Sequence, residues 1–251
     1  MSRLTIALAL CFTTSLIVVP QLRAQGGPPM ITDDPGTPGN RHWEINLATI
    51  FAQRPGETSF DAPGIDLNYG VGDHLQLTLQ GGPAWLKRSD HGFVGGLGGT
   101  EAAVKWRFLD EEKNGIDVSM FPRVIFNITP SSVRRGLADD GTRFQIPFEA
   151  SKSFGWFHLD AEIGPRAVTV GRSEWLYGVV GGIDLGKTNE VMAELQGTSR
   201  TNFSRDVLTA NFGLRHNFTA SRILIVSLGH ELRDSDQARA LIGYLGIQLL
   251  Y

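Results

Sequence analysis

The chain has 251 residues, 41% of them hydrophobic and 20% charged, with 30 Gly, 12 Pro, one Cys and a formal net charge of −3. A single Cys excludes a disulfide scaffold and a Cys-rich zinc site, and a pI near 6.1 argues against the basic stripe of a nucleic-acid binder. The mean hydropathy of −0.08 is, taken alone, that of a soluble globular protein.

In chain order, Arg3 precedes an apolar run over residues 4–12, a second apolar stretch occupies 15–19, and Leu22-Arg23-Ala24 closes the segment. A basic start, an apolar middle and a small final residue predict a secretory signal peptide over 1–24, cleaved after Ala24. The apolar run is short for a helix that must span about 20 residues. Cys11 lies within the run and follows Leu10, which does not suit a lipoprotein signal. Loss of Arg3 and Arg23 with the signal takes the net charge from −3 to −5. Residues 25–40 form a Pro/Gly-rich segment that cannot build a strand. It is expected in the periplasm, with entry into the barrel left open. Its Asp33-Asp34 pair reads as a solvated turn, with cation binding as the alternative.

From Trp43 onward the dominant period is two, the period of a strand with unlike faces. Trp43, Ile45, Leu47, Thr49 and Phe51 fall on one face, and Glu44, Asn46 and Ala48 on the other. The alternation recurs in 65–70, 75–80, 101–108, 116–127, 143–152, 156–164, 174–185, 190–197, 206–218, 223–231 and 239–251, about twelve strands with no stretch of helical period. Short connections such as 71–74, 110–115, 153–155, 186–189 and 219–222 alternate with longer polar ones at 54–62, 86–96, 129–142, 166–173, 198–205 and 232–238. This predicts an all-β, transmembrane up-and-down antiparallel β-barrel over 41–251 in the outer membrane of a Gram-negative bacterium. In lipid a sheet cannot leave an edge unpaired, so it must close. Trp43, Tyr69, Trp106, Trp175, Tyr177, Phe218 and Tyr251 fall near strand ends, where amphipathic rings suit the membrane interface.

Thr32-Asp33-Asp34-Pro35-Gly36-Thr37-Pro38-Gly39, then Trp43-Glu44-Ile45-Asn46, and Leu67-Asn68-Tyr69-Gly70-Val71-Gly72-Asp73 resemble a family of outer-membrane channels named for an association with the meta-pathway of phenol degradation. The resemblance implies a porin-like channel or transporter for small solutes, hydrophobic or aromatic compounds among them. The solute itself does not carry over. The final stretch resembles the terminal β-signal of outer-membrane proteins, with Tyr244, Gly246, Leu249 and Tyr251 in the signal's places. That implies capture of the last strand by the outer-membrane barrel assembly machinery, for which addition of a strand to an exposed edge supplies a mechanism. The expected partners are thus outer-membrane lipid, that machinery and an unidentified small solute, with no nucleic acid.

By alternation the lumen should hold Glu44, Asp66, Glu101, Asp117, Glu149, Asp160, Glu162, Asp184, Glu190 and Glu194, together with Lys105, Arg107, Arg123, Lys152 and Arg215. Ten acids against five bases would favour cations in a narrow pore. The competing reading is an ion-pair network that fills and stiffens the barrel. Twelve strands lie between filled eight-stranded barrels and open 16-stranded ones, so the count leaves both in play. Two further readings compete with a channel. One is a non-conducting structural or adhesion barrel whose loops, above all 129–142 with Arg134, Arg135, Asp139 and Asp140, bind a ligand. The other is a lipid-acting enzyme, which needs a nucleophile and a base within mutual reach. Ser227 and His230 are three apart and fall on opposite faces of one strand, so no enzyme is expected. The six His show no metal-ligand spacing, and no metal or cofactor is expected.

Overall fold

A computed structural model describes residues 27–90, 92–235 and 237–251. The expected signal peptide at 1–24 lies outside them. The wall begins with β1 (Trp43–Arg54), β2 (Glu57–Val71), β3 (Leu75–Gly81), β4 (Pro83–Arg88), β5 (Gly92–Leu97) and β6 (Thr100–Leu109). A one-turn helix α1 (Glu111–Asn114) leads to β7 (Asp117–Met120) and β8 (Arg123–Phe126), and α2 (Pro130–Arg134) to β9 (Arg143–Gln145) and β10 (Phe148–Phe154). Long strands complete it: β11 (Phe157–Val168), β12 (Glu174–Leu185), β13 (Asn189–Arg200), β14 (Asp206–Thr219), β15 (Arg222–Asp234) and β16 (Leu241–Leu250).

These sixteen pieces are twelve spans. Gly82 parts β3 from β4, Gly98-Gly99 part β5 from β6, Phe121-Pro122 part β7 from β8, and Ile146-Pro147 part β9 from β10. Pro cannot donate to the ladder and Gly weakens a strand interior, so both mark kinks in a curved wall. All neighbours are antiparallel, and β1 pairs with both β2 and β16, which closes the ring. Trp43 and Tyr251 exchange both backbone hydrogen bonds at the seam, at 2.8 and 3.0 Å. The closed twelve-stranded antiparallel barrel is the architecture the alternation predicts.

The connections differ from expectation at two places. Residues 54–62 and 86–96 contain tight hairpins rather than long loops: β1 turns into β2 across Pro55-Gly56, and β4 pairs with β5 up to Arg88 opposite Gly92. Pro63 and the Gly-rich 92–99 stretch blur the alternation there, yet the backbone continues to pair. The 127–142 connection is long. It carries α2 and tucks Leu137 against Ala84 and Leu86, whose side chains point inward.

Outside, the apolar half of each strand is exposed, as in Leu75, Leu77 and Leu79 of β3. Trp43 with Tyr69, and Trp106 with Phe108, pair near the short-turn end, and Trp85 stacks on Phe93 near the other. Two aromatic girdles around an apolar band are what a barrel in lipid requires.

Candidate functional site

The interior is polar and is partly occupied by the chain itself. From Gly27, the described part of the Pro/Gly-rich segment lies against lumen-facing side chains. It crosses from the seam strand toward β14 and β15. Glu194 of β13 accepts hydrogen bonds from the amides of Ile31 (3.0 Å) and Thr32 (2.5 Å). Glu162 of β11 accepts one from the Asp33 amide at 3.0 Å. The Ser227 hydroxyl donates to the Pro29 carbonyl at 2.8 Å, and the Arg215 guanidinium to the Pro28 carbonyl at 2.6 Å. A segment without strand or helix must satisfy its backbone groups elsewhere, and here charged and polar wall side chains do so. Met30 adds an apolar anchor against Val180 and Met192.

The wall is shaped for this occupant. A Cβ added at Gly178 would lie 2.0 Å from Thr32 Oγ1, and one at Gly213 would lie 2.1 Å from the Met30 methyl. At both places a side chain on the wall would displace a side chain of the segment, Thr32 at one and the flexible end of Met30 at the other.

Asp33 and Asp34, expected in a solvated turn, instead lie half-buried and buried beside cations of the lumen. Lys105 donates to Asp33 Oδ1 at 2.8 Å and also to the Asp34 carbonyl. Arg123 approaches Asp33 Oδ2 at 3.3 Å. Burial pushes the Asp33 carboxyl up, but Lys105 and Arg123 outweigh it and hold the group below the usual carboxylate range. Burial raises Asp34 to about 6, against the pull of Lys105. The same cations reach the wall: Lys105 to Glu149 at 3.5 Å, and Arg123 to Glu149 at 3.4 Å and Glu162 at 3.1 Å. Both also lie over the Phe121 ring. Lys105 is 2% exposed and Glu149 fully buried, so these charges owe their place to one another.

The opposite side of the lumen is open. A cavity of about 310 Å³ lies between the segment and the wall, lined by Glu44, Asp66, Gln76, Gln80 and Glu101 on one side and by Lys105, Arg123, Asn211 and Arg215 on the other. A second space of about 680 Å³ occupies the long-loop end, lined by Phe60, Ala84, Leu86, Ile125, Phe126, Leu137, Val168 and Val170 among polar groups. A third, of about 640 Å³, opens at the short-turn end.

The residues assigned to the lumen by alternation thus separate by height and side. Glu149, Glu162, Glu194, Lys105, Arg123 and Arg215 hold or surround the segment. Glu44, Asp66 and Glu101 face the open cavity. Asp160 is buried with His158, whose Nε2 lies 3.5 Å from Asp160 and 3.2 Å from Glu190. Arg107 and Asp117 sit at the short-turn mouth, where Arg107 donates to the Asp73 carbonyl and Asp117 accepts from the Glu111 amide. Lys152 and Asp184 also lie at that rim. In the terminal motif Tyr244 and Gly246 face inward, and Leu249 and Tyr251 lie on the other face. Ser227 points inward to Pro29, and His230 lies on the outer face of the same strand. Among the described residues no group of three or more His, Cys, Asp or Glu is placed to hold a metal ion.

Sequence reasoning left the place of the 25–40 segment open and read its Asp33-Asp34 pair as a solvated turn. The one available signal was a pair of acids within a stretch that could not form a strand, ahead of a lumen containing Lys105 and Arg123.

No family model and no curated protein matches the chain. Solved structures do. The COG4313 outer membrane channel from Pseudomonas putida F1 aligns with a TM-score of 0.70 at 12% identity, over 87% of this chain and 98% of that one. The NanC porin aligns with a TM-score of 0.59 at 8% identity, over 82% and 98%. The KdgM porin aligns with a TM-score of 0.56 at 10% identity, over 81% and 98%. At these identities the likeness is one of fold.

Proposed function

We propose that this protein is an outer-membrane channel for small solutes whose bore is narrowed by its own N-terminal segment. The observation that carries the reading is the polar cavity of about 310 Å³ beside that segment, inside a closed barrel with an apolar exterior. A wall packed for stability alone would have its interior filled by side chains. Short turns mark the periplasmic end of such barrels, and the Trp43–Tyr251 seam and the Arg41–Gly70 contact, through which the N-terminal segment joins the wall, lie at that end. The terminal Tyr244, Gly246, Leu249 and Tyr251 support delivery by the barrel assembly machinery. Channels and porins among the structural neighbours support the transport reading over an enzymatic one.

At the long-loop end Leu137 packs on Ala84 and Leu86 and fixes the long connection against the inner wall. Single-channel recording in planar bilayers tests the function. The purified protein should show discrete conductance steps, and a barrel that stays sealed, with no solute uptake into liposomes, would overturn the channel reading.

A further inference from the structure

The cation pair at mid-height is assembled by the wall, and the nearest carboxylate on it is not part of the wall. Arg123 of β8 stands opposite Ala103 of β6, and Lys105 lies two residues further along the same face of β6. The Lys105 ammonium is 4.5 Å and the Arg123 guanidinium 4.3 Å from the centroid of the Phe121 ring, which is 2% exposed. Glu149, held by the Ser119 hydroxyl at 2.6 Å, approaches Lys105 at 3.5 Å and Arg123 at 3.4 Å, and Glu162 approaches Arg123 at 3.1 Å. The ring and these wall carboxylates keep both cations in place without help from the segment.

Asp33 comes to this pair as a ligand would. Its Oδ1 accepts from Lys105 at 2.8 Å and its Oδ2 lies 3.3 Å from Arg123, so one carboxylate bridges both cations with one oxygen to each. Charge-assisted bonds of this length are the strong ones. Residues 28–32 are held through their backbone by Glu194, Ser227 and Arg215, whereas Asp33 meets the cations with its side chain. The cavity of about 310 Å³ has Asp33, Lys105, Phe121 and Arg123 on its lining. A free carboxylate in that cavity therefore reaches the cations that Asp33 holds, with no strand parting. The same cavity carries Glu44, Asp66 and Glu101. These repel a second negative charge on a solute and accept hydrogen bonds from its donors.

We propose that Lys105 and Arg123, above Phe121, form a subsite for the carboxylate of a small monocarboxylate solute, and that Asp33 occupies it in cis as an internal competitor. Tethering gives Asp33 an effective concentration on the order of millimolar, and Glu149 and Glu162 already offset the two cations. Solute binding is therefore weak, as a site within a pore requires if it is to release what it captures. A solute that displaces Asp33 frees the segment at mid-height, while Met30 keeps its anchor against Val180 and Met192.

That the solute permeates rests on the channel reading, and that it binds does not. The test titrates sodium propionate, followed by saturation-transfer NMR in detergent at pH 7.5, into the wild type, Asp33→Ala and Asp33→Ala/Arg123→Gln. Heat-modifiable gel mobility establishes that each barrel is folded. If the double variant does not fold, Asp33→Glu, which keeps an internal carboxylate, replaces it and should match the wild type. The wild type should bind propionate weakly and saturably, Asp33→Ala several-fold more tightly, and the double variant not at all. Propionamide, of the same shape without the charge, should bind to none of them. Equal affinity in the wild type and Asp33→Ala would overturn the subsite, as would binding that survives in the double variant or extends to propionamide. Binding by Asp33→Ala with none by the wild type would show a seat for Asp33 alone and overturn it too. The expected binding by a barrel that never conducts would uphold the subsite and remove the channel reading alone.

Discussion

The two sides of the lumen are built from the same residue types and behave differently. On the side of β6 to β15, Lys105, Arg123, Arg215, Glu149, Glu162 and Glu194 are tied to one another and to the segment starting at Gly27. On the side of β16, β1, β2 and β3, carboxylates and carboxamides bond along the wall beside a cavity that the segment leaves unfilled. What separates the sides is a strand-less segment that brings its own acids and backbone groups to the first side and not to the second. Charge in a barrel interior can therefore be structural or permeant according to what packs against it.

That comparison can be broken most forcefully by removing the segment. Deletion of residues 27–38 should leave a folded barrel with a several-fold higher single-channel conductance, because the first side would then face water as the second does. An unchanged conductance would show that the segment does not narrow the pore. Next in size is Lys105→Met. It takes from Asp33 its nearest cation and from Glu149 one of two, and the loss of one partner from a buried pair costs about 3–5 kcal/mol. Thermal unfolding in detergent should register a clear drop, while Glu101→Gln, on the open side, should leave the transition nearly where it was. A smaller effect is expected from Gly178→Val. Its Cβ would meet Thr32, an overpacking cost of about 1–3 kcal/mol, so the segment should leave its seat while the barrel persists. Faster protease cleavage within 27–38 from the short-turn side would report this.

Much of the wall could be read from the chain without its coordinates. Trp43 to Phe51 already shows both faces, and the same alternation recurs often enough to count twelve strands. Alternation also placed Glu149, Glu162 and Asp160 inward. It failed at 54–62 and 86–96, where Pro63 and the glycines of 92–99 interrupt the apolar pattern while the backbone goes on pairing. It also could not separate Arg107 and Asp117, at the mouth, from Lys105 and Arg123, at mid-height. Period two specifies a face but not a height relative to a neighbour.

The sequence by itself determined the closed barrel, its two unlike faces and its acid-rich interior, because these follow from alternation along single strands and from the need to pair every edge. Only the tertiary structure decided that Asp33 is bound to Lys105 and Arg123, and that Asp66 and Glu101 stand in one row with Gln80 between them. Those facts depend on register between strands and on contacts between residues 72 or more positions apart. No local pattern encodes them.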